Sequence, residues 1–268
     1  MLKALYSVYD RRRRPLRDHH YMVFASIGIA YARVPGDSFK AISKLICRLA
    51  GTSSVDLGNT TEPLNSDAWN SDMELLTARE LKRRHPDFIV FTVVQPPEER
   101  VASAYNTIIQ SQDPLPAYFE ANQFSKSMSL ESFTSRIAGL SDTVADNLLR
   151  SQASILSYRS NIVPGMVVEL SELRRSPEHL LNYLREHTGK DHMSRKQTHK
   201  ELNLDNIKFD VPGPDQHHLQ TLASLPMQDL LRQRYQMDYR LFFSAQPSVE
   251  SLVINRQKDG HQSDRIGN

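Results

Sequence analysis

Two short uncharged runs, each passed through a proline turn into an amphipathic stretch, do most to limit what this chain can fold into. The first is YMVFASIGIAYA, residues 21–32, and the second is the FIVFTVV of HPDFIVFTVV, residues 85–94. A strand with no polar face has to be covered on both sides. Behind the first run Phe39, Ile42, Leu45, Ile46 and Leu49 recur at helical spacing. Behind the second, QPPEERVASAYNTIIQ opens a helix with proline in its first turn and Glu98 and Glu99 near its positive end. Strands alternating with helical patterns predict an α/β domain with a mostly parallel sheet flanked by helices.

The rest of the chain follows the same alternation. MELLTARELKRR reads as a charged helix, helical patterns run from about Ser129 to Ser157, and PGMVVEL gives a third strand. SPEHLLNYLREHTG is a helix with a Ser-Pro start and a glycine stop, and a last helix spans about Gln216 to Tyr235. Polar loops cover 52–72 and 190–215. The organisation expected is a basic arm over 1–20, a single domain over 21–245 and a disordered tail over 246–268.

Composition narrows the partners. The chain has 268 residues, 39% of them hydrophobic, which is enough for one sizeable core. A net charge of +2 announces neither nucleic acid nor membrane, so anion binding has to come from local placement. Cys47 is the single cysteine, so no internal disulfide is possible and a reducing, cytoplasmic location is expected. The longest apolar run is about half the length of a membrane span, and no signal peptide or anchor is read. The run DRRRRPLRDHH reads as a solvated arm. His217 and His218 lack partners at metal-ligand spacing, so no metal is expected.

A strand feeding a tight turn and a helix gathers free backbone N–H groups at the carboxyl end of a sheet, a place suited to phosphate. The paired glycines and Gly-Lys-Ser/Thr of a P-loop NTPase are missing from YARVPGDSFKAISKLI, residues 31–46, which argues against an ATPase or kinase. The stretch instead resembles the 5'-phosphosulfate loop of carbohydrate-type (family 2) sulfotransferases. Set along that motif, Arg33 falls on the family lysine, Gly36 on the loop glycine or cysteine, Asp37 on the threonine and Ser38 on its neighbour. FTVVQPPEERVASAYN is similar to the family's 3'-phosphate block, with Val94, Pro97, Arg100, Ser103, Ala104 and Tyr105 in register. MVVELSELRRSPEHLLNYL and LLRQRYQMDYRLF resemble its later blocks, in family order, so that the likeness spans about residues 20 to 243.

The resemblance implies transfer of a sulfuryl group from 3'-phosphoadenosine-5'-phosphosulfate, without a metal, to a hydroxyl acceptor such as a glycan or small molecule. It implies that Arg33 clamps the leaving phosphate, that Val34, Pro35, Gly36, Asp37 and Ser38 form the 5'-loop, and that Gln95, Arg100 and Ser103 hold the 3'-phosphate. Arg195 and Lys196, with His199, sit in the segment that closes over the nucleotide in relatives. Glu62 is the first candidate for the general base, with Glu74 behind it, and Trp69 reads equally as a sugar platform or a packing anchor. His85, beside Pro86, reads as structural.

Three departures stand against the motif. Lysine is replaced by Arg33, threonine by Asp37, whose carboxylate would compete as a helix cap, and an arginine by Gln95. They keep open a second expectation: a sulfotransferase-fold protein that has lost transfer and binds a nucleotide or a protein partner. Animal relatives are commonly Golgi-anchored, so Golgi association also stays open.

Overall fold

In the computed structural model, which describes residues 17–50, 73–187, 204, 207, 209–211, 213 and 215–244, Gly28 divides the first apolar run. The chain runs through β1 (Tyr21–Phe24), makes a 3-10 turn over Ala25–Ile27 and returns antiparallel as β2 (Ile29–Ala32), with Tyr21 opposite Ala32. Gly28 has φ 69°, a left-handed conformation that glycine adopts at little cost. The single strand expected over 21–32 is therefore a hairpin. Its turn shows in the burial: Ala25 and Ser26 are exposed between two fully buried strands.

A second correction concerns MELLTARELKRR. Residues Met73–Leu76 form β3, paired antiparallel to β1, and only Ala78–Arg84 is helical. Thr77 sets the boundary, because its hydroxyl accepts from the Glu80 N–H while the Glu80 carboxylate accepts from the Thr77 N–H at 2.9 Å. That reciprocal capping box starts a helix after Thr77 and not before it.

β4 (Ile89–Val94) runs parallel to β2, a minor hairpin pairs β5 (Ser157–Tyr158) with β6 (Asn161–Ile162), and β7 (Met166–Glu169) runs parallel to β4. The main sheet has the order β3-β1-β2-β4-β7. It is mixed: β2, β4 and β7 are parallel as expected, while β1 opposes both of its neighbours.

The helices are α1 (Asp37–Ala41), α2 (Ser43–Leu49), α3 (Ala78–Arg84), α4 (Pro97–Tyr105), α5 (Ala117–Ala121) and α6 (Leu130–Ala138). They continue with α7 (Gln152–Leu156), α8 (Leu170–Arg175), α9 (Glu178–His187), α10 (Gln216–Leu222), α11 (Leu225–Arg234) and α12 (Gln236–Phe242). The helix expected from Gln216 to Tyr235 is thus α10 and α11, separated at Ala223 and Ser224. The pattern over 129–157 is likewise two helices, with an irregular segment between them. α4 runs on into a π-helical turn, Asn106–Gln110.

Alternation along the strands feeds two cores. Met22, Phe24, Ile29, Tyr31, Phe91 and Val93 pack on one face with α1, α2 and α9, while Tyr21, Val23, Ala30, Ala32, Val90 and Val94 pack on the other with Leu81 and Leu156. A third cluster joins the α4 residues Val101 and Tyr105 to Phe133, Leu222, Leu231 and Tyr235. Arg17 and His20 are buried, so the packed domain includes residues assigned to the arm. Among the described residues no helix is long and apolar enough to cross a membrane.

Candidate functional site at the carboxyl edge of the sheet

Because β1 opposes β2, the residue entering β1 lies beside the residue leaving β2. His20 and Arg33 are those residues, tied by Arg33 N–H donating to the His20 carbonyl at 2.7 Å. β4 ends at the same edge, held to β2 by the Thr92 hydroxyl, which donates to the Ala32 carbonyl at 2.7 Å. The turns after β2 and β4 are therefore neighbours.

The turn after β2 is built around Gly36, whose φ of 109° and ψ of −152° fall in a region open almost only to glycine. Nothing lies within 4 Å of where a Cβ would stand. Gly36→Ala should therefore destabilise the fold by about 1–3 kcal/mol through backbone strain alone. Urea denaturation checks this, and an unchanged midpoint would contradict it.

Gly36 is also the N-cap of α1, with no side-chain cap. Asp37 does not compete for the turn's donors as the sequence suggested. Its carboxylate lies 3.5 Å from the Lys40 ammonium, inside the helix. The Gly36 carbonyl takes the N–H groups of Phe39 and Lys40, and no protein acceptor is recorded for those of Asp37 and Ser38 among the described residues. Val34 is buried and Pro35 partly buried in the turn.

Arg33 projects over the Phe39 ring, 5.7 Å from its centroid, and Phe39 in turn stacks on Tyr31. No carboxylate pairs with this guanidinium among the described residues. Burial lowers its pKa, an effect the Tyr31 hydroxyl opposes, but an arginine remains a cation at neutral pH.

His20 lies at 2% exposure beside Arg150, whose Nη1 sits 3.4 Å from His20 Nε2. Burial, with the Arg150, Arg33 and Arg17 guanidiniums and His19, holds the imidazole pKa well below its usual range. Arg150 bonds Asp18 at 2.9 Å and Ser154 at 3.2 Å.

Buried donors are nearly always satisfied, and each orphan costs about 1–3 kcal/mol. At this edge His20 Nδ1, Arg33 Nε, Ser38 Oγ and Arg150 Nε are all buried with no hydrogen-bond partner among the described residues. Donors of that kind, next to free helix amides and an unpaired cation, fit an acceptor-rich anion such as phosphate or sulfate.

The second expected pocket is different. Arg100 is 4% exposed and donates through both Nη groups to the carbonyls of Arg150 and Asn147. Its guanidinium fastens the 147–150 segment to α4, which is a structural use. Gln95 is fixed by a two-way exchange with Gln152: its N–H donates to Oε1 at 2.9 Å and its carbonyl accepts from Nε2 at 2.8 Å. Ser103 stays partly exposed on α4 with no side-chain partner recorded among the described residues, opposite the buried Val101, Tyr105 and Ile108. Among the described residues the Ser103 side chain is uncommitted, and that of Gln95 makes only a 3.5 Å contact from Nε2 to Glu99.

Glu74 does not reach this edge. It lies within β3, opposite Val23, and pairs with Arg84 at 2.7 Å. His85 stacks on Phe88 at 4.3 Å between ring centroids, in keeping with a structural role. Glu62, Trp69, Arg195, Lys196 and His199 lie outside the described residues.

His218 stands between Asp215, at 3.1 Å from Nδ1, and the Gln110 amide, at 3.4 Å from Nε2. The sequence finds no metal-ligand partners for His217 and His218, but the fold supplies one: ligand atoms of Asp215, His217 and His218 lie within 4.8 Å of one another, a spacing that could hold an ion. Sequence reasoning missed His20 and Arg150, which are 130 positions apart and belong to no shared motif. The signal for His20 was the glycine turn at Gly28, which folds it back beside Arg33.

Charge is divided along the edge. The cations gather at the β1–β2 end, whereas Glu98, Glu99 and Glu169 gather where β4 and β7 end. Burial pushes the Glu99 carboxyl up, the Gln95 amide and Arg174 oppose this, and Glu169 and Glu98 add to it. An anion is therefore directed to the turn after β2.

Comparison with family models matches this chain to the Sulfotransferase family over residues 19–244. No curated protein and no solved structure matches it. The match covers the whole sheet, the turn after β2 and the closing helix α12, so the chain belongs to the sulfotransferase family.

Proposed function

We propose that this protein transfers a sulfuryl group from 3'-phosphoadenosine-5'-phosphosulfate to a hydroxyl of a sugar or another small acceptor. The observation that carries the reading is the set of orphaned buried donors at Arg33, Ser38 and His20, beside the free amides of Asp37 and Ser38. Family membership supports a sulfotransferase in general, and this turn supports an anionic donor.

When bound, the nucleotide supplies an activated sulfuryl group. The acceptor oxygen forms a bond to sulfur as the sulfur–oxygen bond to the 5'-phosphate breaks, and the electron pair stays on that phosphate. Arg33 then faces growing negative charge, which is where a fixed cation lowers a barrier most. The turn around Gly36 and Ser38 contributes fixed donors that need no rearrangement during the step. Ser103 is assigned to the 3'-phosphate, Arg195 and Lys196 to closure over the nucleotide, and Glu62 to accepting the hydroxyl proton.

A specific observation favours a second reading. Arg100 and the Gln95 backbone are committed to carbonyl and amide partners, leaving the 3'-side poorer in charge-assisted bonds. Each such bond is worth about 1.5–3 kcal/mol, so a protein that binds the nucleotide without transferring from it is the alternative.

Incubation with sulfur-labelled donor and a panel of glycans and small phenols separates the two. Labelled product is expected. Heat of binding by the desulfated nucleotide with no product from any acceptor would favour the binder.

A further inference from the structure

The buried histidine at the entrance of β1 has no place in the sulfotransferase motifs, yet its backbone is bonded directly to that of Arg33. Arg33 N–H donates to its carbonyl at 2.7 Å. Its Nε2 faces the Arg150 guanidinium at 3.4 Å, which makes Nε2 the acceptor and puts the ring proton on Nδ1. That Nδ1–H is buried and has no partner among the described residues. One face of the ring is thus satisfied weakly and the other not at all.

We infer that His20 is a further residue of the anion site: its Nδ1–H donates to the phosphate held by Arg33, and the ring takes up a proton at Nε2 when that phosphate binds. The inference rests on the donor reading above.

The proton balance follows from the charges that face the ring. From the segment before β1 these are Arg17 and His19, from the turn after β2 Arg33, and from the segment before α7 Arg150. No carboxylate acts on it directly; Asp18 reaches it only as the counter-ion of Arg150, at 2.9 Å. In the free protein the imidazole is therefore neutral at pH 7. A phosphate carrying about 1.5 to 2 negative charges offsets most of the positive charge of these guanidiniums. Arg150 can release its long contact to Nε2, because the same Nη1 also reaches Asp18 at 2.9 Å and Asn147 at 3.3 Å. Nε2 is then open to a proton from solvent, and the imidazolium offers the anion a charge-assisted bond.

The sign of the pH effect is fixed by this order. The bound-state pKa lies above the free-state pKa, so the extra affinity is full below the free-state value and is lost as pH rises through the bound-state value. One coupled proton gives at most about a tenfold change in affinity per pH unit.

The test is calorimetry of 3'-phosphoadenosine-5'-phosphate binding at pH 7 in two buffers of different ionisation enthalpy, with wild type and His20→Asn. Asparagine keeps an N–H near Nδ1 and cannot titrate, and the nucleotide's own protonation is common to both proteins. Wild type is expected to take up about half a proton more than the variant, and to gain about three- to tenfold more affinity between pH 8 and pH 6.5.

Equal uptake in two binding proteins overturns the role of His20 and leaves the donor reading standing. Absence of binding in both overturns the two together. Should His20→Asn not fold, an NMR titration of the wild-type imidazole replaces it: an upward move of about one unit or more on adding the nucleotide supports the inference, and no move overturns it.

Discussion

Arg33→Ala is expected to lower the rate of sulfuryl transfer by about a hundred- to a thousandfold, the range found when one preorganised donor to a developing anion is removed. The effect should fall mainly on kcat. On the proposed reading, ground-state binding is shared among the turn amides, Ser38, His20 and the 3'-side contacts, whereas charge on the leaving phosphate grows only as the sulfur–oxygen bond breaks. Arg33→Lys should recover part of the loss. Lysine restores a cation but not the planar fork, and it lacks the flat surface that rests on Phe39. Steady-state kinetics with labelled donor measures all three proteins. Equal kcat for wild type and Arg33→Ala would mean that the turn after β2 is not where the leaving charge develops.

The largest expected effect on stability comes from a residue far from that turn. Asp238 is fully buried in α12, and its carboxylate accepts from the Gln152 N–H at 2.9 Å and the Ala153 N–H at 2.7 Å. It thereby satisfies the first amides of α7 from another part of the chain. Gln152, so placed, exchanges two hydrogen bonds with the Gln95 backbone at the end of β4. Asp238→Ala leaves two buried N–H groups without acceptors and loosens the link between α12, α7 and the sheet. A cost of about 3–4 kcal/mol is expected, with a fall in Tm of about 10 °C. Asp238→Asn, which keeps a single carbonyl acceptor, should lie between the two. Thermal and urea unfolding of the three proteins checks the order; a Tm within a degree of wild type for Asp238→Ala would contradict it.

This dependence explains why the block LLRQRYQMDYRLF, at the far end of the domain, was legible in the sequence as part of the same fold. Its Tyr235 hydroxyl donates to the Leu149 carbonyl at 3.0 Å, and burial pushes the Tyr235 pKa up to about 12. Its Arg234 pairs with Asp142 at 2.7 Å. The α/β class and the parallel strands β4 and β7 were also legible, because FIVFTVV and MVV are short β-branched and aromatic runs followed by helical patterns, and β2 was legible as the end of the first apolar run.

What misled the reading were places where a long-range partner overruled local pattern. SIG inside the first run resembles strand continuation until Gly28 takes a left-handed φ, and the hairpin it makes brings His20 beside Arg33. MELL looks helical beside ARELKRR, yet β1 claims its backbone, and the Thr77-to-Glu80 capping box was the overlooked boundary signal. Arg100 matches the motif in sequence, but only the fold shows its guanidinium turned onto the carbonyls of Asn147 and Arg150. Asp37 reads as a cap by type, while the helix places it one residue too late to serve as one.

A crystal structure with 3'-phosphoadenosine-5'-phosphate bound tests the account most directly. The 5'-phosphate is predicted to lie against the Arg33 guanidinium, the Ser38 hydroxyl and the amides of Asp37 and Ser38, with His20 Nδ1 within hydrogen-bonding reach. A nucleotide seated elsewhere, with Arg33 Nε and Ser38 Oγ still unpartnered, would contradict it.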